Sequence, residues 1–279
     1  FSHSMEYLEY FIPTPLLFGD TIINRLIEID EDDFKEDVEI IGWLYQFYVS
    51  SLREETRKKK KTEKNDIPIL SQIFTPDWIV RYMAENSVGR IWLESYPQSR
   101  LKEKMKYYVG EAEQEAEVLE QLESIKYKNV NPEDIQIIEP ASGSGHILVY
   151  VFDLLFEMYI EKGHLKKDIP QLIFKNNLYG LDIDQRATQL ASFALTMKAR
   201  SIDNKFFEQD RNVKPRVYEI IDSKSILSNR YNGKSYLEIF KDYSDSQWQG
   251  ENHLTDEEFQ IIKYVVELFE DAKIIGSLL

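Results

Sequence analysis

Residues 136–159, QIIEPASGSGHILVYVFDLLFEMY, join a short apolar run to a long amphipathic stretch through a turn with two glycines one residue apart. No other feature constrains the fold as much. The run ending at Glu139 reads as a strand. Beyond the turn, Ile147, Leu148, Val151, Leu154, Leu155, Met158 and Tyr159 recur at helical spacing, and Gly163 stands where that helix would end. The pattern then repeats. IPQLIFKNN reads as a short helix, LYGLD as a strand, and Asp184 as the cap of a helix packed through Ala187, Leu190, Ala191, Ala194 and Met197. A third strand, RVYEIID, ends at Asp222. Strand, helix, strand, helix, strand predicts an α/β fold with parallel pairing and right-handed crossovers.

The rest of the chain attaches to this unit. Residues 6–66 read as helical, with Val38, Ile41, Leu44, Tyr45 and Tyr48 near helical spacing. The run RKKKKTEK marks a helix end or loop, either a solvated charged tail or a phosphate-contacting patch. In SQIFTPDWIVRYM, Thr75 is placed to cap a helix with Pro76 in its first turn, and Asp77 favours the positive end of the helix dipole. Ile79, Tyr82 and Met83 share one face of that helix. Residues 100–129, dense in Lys, Glu and Gln, read as an exposed helical connection. Near the end, Thr255 and Glu258 form a capping box ahead of Phe259, Ile262, Val266 and Phe269. The domains expected are a helical region at 1–66 (1–5 resembling a tag remnant), a capped helix with its charged connection at 67–131, a cofactor-binding half-domain at 132–230, and a helical segment at 231–279.

Composition narrows the chemistry. There is no cysteine, so disulfides and thiolate metal sites are excluded, and the four histidines make no ligand spacing. Metal binding has no support. No apolar run approaches the roughly 20 residues of a membrane span, and a cytoplasmic setting is expected. With 34 Lys and Arg against 49 Asp and Glu, the net charge is −15. Such a chain is not, as a whole, a surface that grips nucleic acid, so any such grip lies elsewhere or in a local basic patch.

In an open parallel sheet, ligands sit at the carboxyl ends of the strands. Glu139, Asp182 and Asp222 are the acids expected there, and the first is followed by Gly143 and Gly145, which let backbone N–H groups approach a ligand closely. Acids without a neighbouring Lys or Arg argue against a phosphate-rich ligand, and the Gly-Lys-Ser/Thr of a P-loop is absent. Leu148 occupies the third glycine position of a dinucleotide fingerprint. The acids suit a ligand with ribose hydroxyls, an amino group and a positive charge, all of which S-adenosylmethionine has. Helix capping is the alternative reading for Asp182 and Asp222, and turn geometry alone for the glycines.

EPASGSG resembles the first motif of class I N6-adenine DNA methyltransferases, and IFTPDWIVRYM resembles the threonine-proline motif that precedes it in one subgroup. Together with NNLYGLDIDQRATQLASFALTMKAR, these segments are most similar to the PglX family, the adenine methyltransferases of BREX phage-exclusion systems. The likeness thins after about residue 230. Ser142 stands where cysteine is usual; the departure is expected to be tolerated because the turn's backbone does the binding. The resemblance implies a class I S-adenosylmethionine-dependent methyltransferase (Rossmann-like) fold with a partial parallel sheet and an N-terminal helical region. It implies that Thr75 approaches the methionine carboxylate, and that Glu139 with the backbone around Ala141, Gly143 and Gly145 holds the methionine moiety. Asp182 would take the ribose hydroxyls, Ile183 would lie against the adenine, and Asp222 would accept from its amino group.

The family also uses an Asn-Pro-Pro-Tyr/Phe motif after a fourth strand. This chain has nine prolines, no two adjacent, and its Asn131-Pro132 precedes the glycine turn. The expectation is a piece of a longer enzyme, inactive alone, whose catalytic motif and contacts to double-stranded DNA lie downstream, with other phage-defence subunits as partners. A further expectation is that the first strand has an unpaired edge covered by the tail at 255–272.

Overall fold

Three short strands set the frame of the computed structural model, which describes residues 40–63, 66–208 and 213–223, with 260, 261, 264, 265 and 267–269. The chain divides into two compact units, Phe1–Ile40 and Ile41–Leu279, and all the described residues except Ile40 belong to the second. Strands β1 (Ile137–Glu139), β2 (Leu178–Asp182) and β3 (Arg216–Glu219) form a parallel sheet in the order β1-β2-β3. In register, Glu139 faces Gly180, and Asp182 faces Glu219.

Among the described residues, the helices given labels are, in chain order, α1 (Ile40–Arg57), α2 (Ile67–Ser71), α3 (Asp77–Ala84), α4 (Arg90–Ser95), α5 (Leu101–Lys104), α6 (Ala116–Ile125), α7 (His146–Glu161), α8 (Ile169–Asn176) and α9 (Gln185–Ile202). The sheet with its intervening helices is the α/β arrangement expected of a class I methyltransferase fold.

Helix α7 is the centre of the core. Leu148, Val151, Phe152, Leu154, Leu155, Met158 and Tyr159 are all buried, wider than a single stripe because α3, α8 and α9 all pack on this helix. Burying each such side chain contributes about 1.5–3 kcal/mol. Gly180 lets α7 settle on β2: a Cβ there would lie 2.8 Å from Leu148 Cδ1 and 3.1 Å from Val217 Cγ1. The helix ends as its sequence predicts. Gly163 has φ +87°, its N–H donates to the Ile160 carbonyl, and the His164 N–H donates to that of Tyr159.

Buried Asn177 fixes where the strands begin. Its Nδ2 donates to the carbonyls of Pro132 and Ile135 at 2.6 and 2.7 Å, and its Oδ1 accepts from the Tyr159 hydroxyl at 3.0 Å. Leaving those groups unpaired in the interior would cost on the order of 1–3 kcal/mol each. A π-helical turn, Glu85–Gly89, joins α3 to α4, and fully buried Glu85 accepts there from the Tyr150 hydroxyl and the Tyr107 N–H.

Several expectations need correction. Helix α3 begins at Asp77 with Pro76 at the cap position and no side-chain cap, so Thr75 is not an N-cap. Tyr48, Tyr82, Met83 and Met197 are exposed; Val80 and Ala84 form the buried side of α3, and Leu195 joins the alanines on α9. The first strand starts at Ile137, because a 3-10 turn at Pro132–Asp134 precedes it. In the tail, the Phe269 carbonyl accepts from the Ser223 N–H, beyond β3, whereas Ile138 on β1 is 63% exposed. That contact joins the tail's last described turn to the segment after β3. Val38, Thr255, Glu258, Phe259, Ile262 and Val266 lie outside the described residues, as do the side chains of Ile41 and Leu44. The connection at 100–129 is exposed and helical only in part: α6 has no buried residue, but Leu101 and Met105 are buried and residues 105–115 form no helix.

Candidate functional site

The turn between β1 and α7 is built from its two glycines. Gly143 has φ +53° and Gly145 φ +93°, backbone regions that side chains disfavour. The Ser142 N–H donates to the Leu181 carbonyl on β2 at 2.8 Å, and the Gly145 N–H closes the turn onto the Ser142 carbonyl at 2.8 Å. A Cβ on Gly145 would lie 2.8 Å from Ala191 Cβ and 3.0 Å from its Cα, whereas one on Gly143 would meet nothing within 4 Å. Gly145 therefore serves close packing against α9, and Gly143 borders open space.

Asp182 ends β2 and is 8% exposed. Its Oδ2 accepts from the Gly143 N–H and its Oδ1 from the Asp184 N–H, both at 2.8 Å. The acid and the glycine turn are thus one hydrogen-bonded unit. Burial pushes the Asp182 carboxyl above the usual aspartate range, against the pull of the Asp184 and Gly143 amides. Glu139 accepts from the Ala141 N–H at 3.3 Å, and its carboxyl is also raised, first by burial and further by the charge of Asp182. Two acids and the amides of the turn are therefore clustered at the carboxyl ends of β1 and β2.

Asp184 is the N-cap of α9, accepting from the Arg186 N–H at 2.9 Å. Ala141 is exposed and Ile183 half-buried beside these groups. Thr75 is half-buried, and its neighbour Phe74 packs on a cluster of Tyr45, Val49 and Ala187 at the start of α9. Asp222 is not at a strand end: β3 stops at Glu219, although the Ile220 N–H still reaches the Asp182 carbonyl at 2.7 Å. The sheet thus brings Glu139, Ala141, Gly143, Gly145, Asp182 and Ile183 together, leaving Asp222 in the segment beyond.

Sequence reasoning missed the contribution of α1. Tyr45 donates its hydroxyl to Asp184 Oδ2, and a Cβ on Gly42 would lie 2.8 Å from His146 Nε2 and 3.1 Å from Ser144 Oγ. A glycine inside an otherwise apolar helix was the available signal, since it costs about 1 kcal/mol relative to alanine unless something must come close.

This donor and acceptor set fits S-adenosylmethionine. A carboxylate has about four lone-pair sites, so Asp182 retains acceptor capacity beside its two short backbone bonds, and the space next to Gly143 is open.

No family model matches the chain. Over 290 aligned residues it is 39% identical to the adenine-specific methyltransferase BrxX of Escherichia coli O9:H4 (strain HS), covering 99% of this chain and 24% of that protein. It is 40% identical over 220 residues to the adenine-specific methyltransferase PglX of Lacticaseibacillus casei (strain Zhang), covering 74% of this chain and 18% of that protein. The chain is homologous to part of the BrxX and PglX adenine-specific methyltransferases. It spans about a quarter or less of the length of these curated relatives. A weaker likeness, 25% over 173 residues, relates it to a Methanocaldococcus jannaschii protein whose name joins a type II restriction enzyme to a methyltransferase. Among the described helices, none is long and apolar enough to cross a membrane.

Proposed function

We infer that this chain is the S-adenosylmethionine-holding part of a site-specific N6-adenine DNA methyltransferase of a phage-defence or restriction-modification system. The observation that carries the reading is the bond from the Gly143 N–H to Asp182 Oδ2, which makes one receptor of the glycine turn and the acid ending β2. The names of the relatives support the reaction class. Asp182 takes the ribose hydroxyls, and Ile183 lies against the adenine, whose amino group Asp222 accepts. Glu139 and the backbone at Ala141, Gly143 and Gly145 hold the methionine moiety, with Thr75 toward its carboxylate. The bound cofactor supplies an electrophilic methyl group on a sulfonium.

Reaction at adenine N6 further requires a base turned out of the duplex and acceptors for its weakly nucleophilic amine. An Asn-Pro-Pro-Tyr/Phe sequence does not occur in this chain. The chain accordingly holds cofactor without transferring methyl. Double-stranded DNA is met by other parts of the parent protein, in the cytoplasm, alongside other defence subunits and with no role for a membrane. Incubation with labelled cofactor and plasmid DNA should leave the DNA unlabelled; labelled DNA would overturn this division of labour.

Calorimetry tests the cofactor assignment. S-adenosylmethionine and S-adenosylhomocysteine should bind one per chain, and Asp182→Ala should weaken both by about 2–4 kcal/mol, through loss of charge-assisted bonds to the ribose. A folded chain that bound neither would favour an interaction module that scaffolds a defence complex without catalysis. A variant that bound as tightly as the parent would remove Asp182 from the site.

A further inference from the structure

The resemblance and the acids account for the sheet side of the site but assign nothing to α1, which touches it at two places. Gly42 lies against Ser144 and His146 at the start of α7, and Tyr45, one turn on, reaches Asp184. The Tyr45 hydroxyl sits where three segments meet. It donates to Asp184, Gln72 bonds to it from the segment ahead of α3, and the ring stands edge-on to Phe74 with centroids 6.1 Å apart. Phe74 directly precedes Thr75.

The contacts continue toward the ligand groups. Asp184 receives Tyr45 on Oδ2 and the Arg186 N–H on Oδ1, so its carboxylate is held from both sides. Its own N–H donates to Asp182 Oδ1, and Asp182 Oδ2 receives the Gly143 N–H. One hydrogen-bonded path therefore runs from α1, through the turn after β2, to the glycine turn. Burial, and then the acceptor Asp184, push the Tyr45 hydroxyl well above the usual tyrosine range, so it stays protonated and remains a donor. At the next turn of the helix, Arg186 Nη1 donates to the Tyr48 hydroxyl at 3.2 Å, adding a second tie between α1 and the start of α9.

We propose that Tyr45 is a positioning residue of the cofactor site, its hydroxyl fixing the Asp182–Asp184 turn so that the Asp182 carboxylate is held in place for the ribose. The proposal rests on the cofactor reading above. Tyr45 also fills the cluster with Val49 and Ala187, a packing role its ring performs whether or not the hydroxyl is present. Tyr45→Phe separates the two, because it keeps the ring and removes the bond.

The test is titration of S-adenosylhomocysteine into the parent chain, Tyr45→Phe, Asp184→Asn and the double variant, with thermal unfolding of each. The parent should bind, and Tyr45→Phe should bind roughly 3- to 10-fold more weakly, the factor of one ordinary hydrogen bond. Its unfolding midpoint should stay close to the parent's. Adenosine, which keeps the ribose and lacks the methionine part, should lose the same factor. In the double variant, Tyr45→Phe should add less to the effect of Asp184→Asn than it costs alone, since the uncharged asparagine keeps at most a weakened bond to the hydroxyl. Equal binding by parent and Tyr45→Phe, or fully additive losses, would overturn the positioning role and leave the cofactor reading intact. No binding by the folded parent would overturn both.

Discussion

At Gly143 the turn borders open space and sends its N–H to Asp182; at Gly145, two residues on, it is pressed against Ala191 of α9. Both residues have positive φ, and both belong to one short motif. One side of the turn is therefore set by packing and the other by what lies beside it. The contrast separates what holds the fold from what the fold presents.

The largest effect should come from the packed side. Gly145→Ala combines a backbone at φ +93° with a Cβ 2.8 Å from Ala191 Cβ and 3.0 Å from its Cα. Left-handed strain and overpacking should together lower stability by about 3 kcal/mol or more. Urea unfolding measures it, and a loss below about 1 kcal/mol would break the distinction. Adding Ala191→Gly should restore part of the loss, since the backbone strain at residue 145 persists.

Gly143→Ala is the matching test of the open side. Its Cβ meets no atom, so the cost is the left-handed conformation alone, about 1–2 kcal/mol. Asparagine tolerates that region better, so Gly143→Asn should unfold closer to the parent. Both variants should bind S-adenosylhomocysteine more weakly. Unchanged binding in a folded Gly143→Asn variant would mean that the open space is not the ligand's.

The different reasons for the two glycines explain what the sequence could and could not disclose. The strand at Leu178–Asp182, the helix from His146 and its stop at Gly163 follow from local pattern, and the structure has them there. Periodicity also predicts that a helix has an apolar face, but not which side a partner will cover. Tyr82 and Met83 share a face with Ile79, yet α3 turns Val80 and Ala84 to the core. The apolar Ile220 and Ile221 prolong the strand pattern beyond Glu219, which is why Asp222 was expected at a strand end. The packing of Gly145 on Ala191 and the reach of Tyr45 to Asp184 join segments far apart in sequence, so no local pattern encodes them.

Ser142 sharpens the contrast from inside the same turn. Its N–H is paired with Leu181, but its side chain is buried and Oγ has no hydrogen-bond partner among the described residues. An unpaired buried hydroxyl is costly, so Ser142→Ala should raise stability by about 1 kcal/mol. Binding of S-adenosylhomocysteine should not change, because the turn's backbone is preserved. Thermal unfolding and calorimetry on one sample would check both, and a destabilised variant would mean that the hydroxyl has a partner.

The smallest effect is a dependence on pH in which stability and binding move in opposite directions. Asp182 and Glu139 both have carboxyls raised by burial. Since their folded values lie above the unfolded ones, near about 4, the folded chain binds more protons in the interval between. Their contribution to stability is fully present below the unfolded values and declines as pH rises through the folded ones. A ligand whose hydroxyls donate to Asp182 favours the ionised form, so its binding should release protons and tighten over that same interval. Above the raised value the affinity should level off. Urea unfolding and S-adenosylhomocysteine titration from about pH 4.5 to 7.5, each compared with Asp182→Asn, isolate this residue's share. Asp182→Asn cannot titrate, so both slopes should flatten in it. Affinity that weakens with rising pH in the parent would mean that the protonated acid receives the ligand, and the open side of the turn would then need a different occupant.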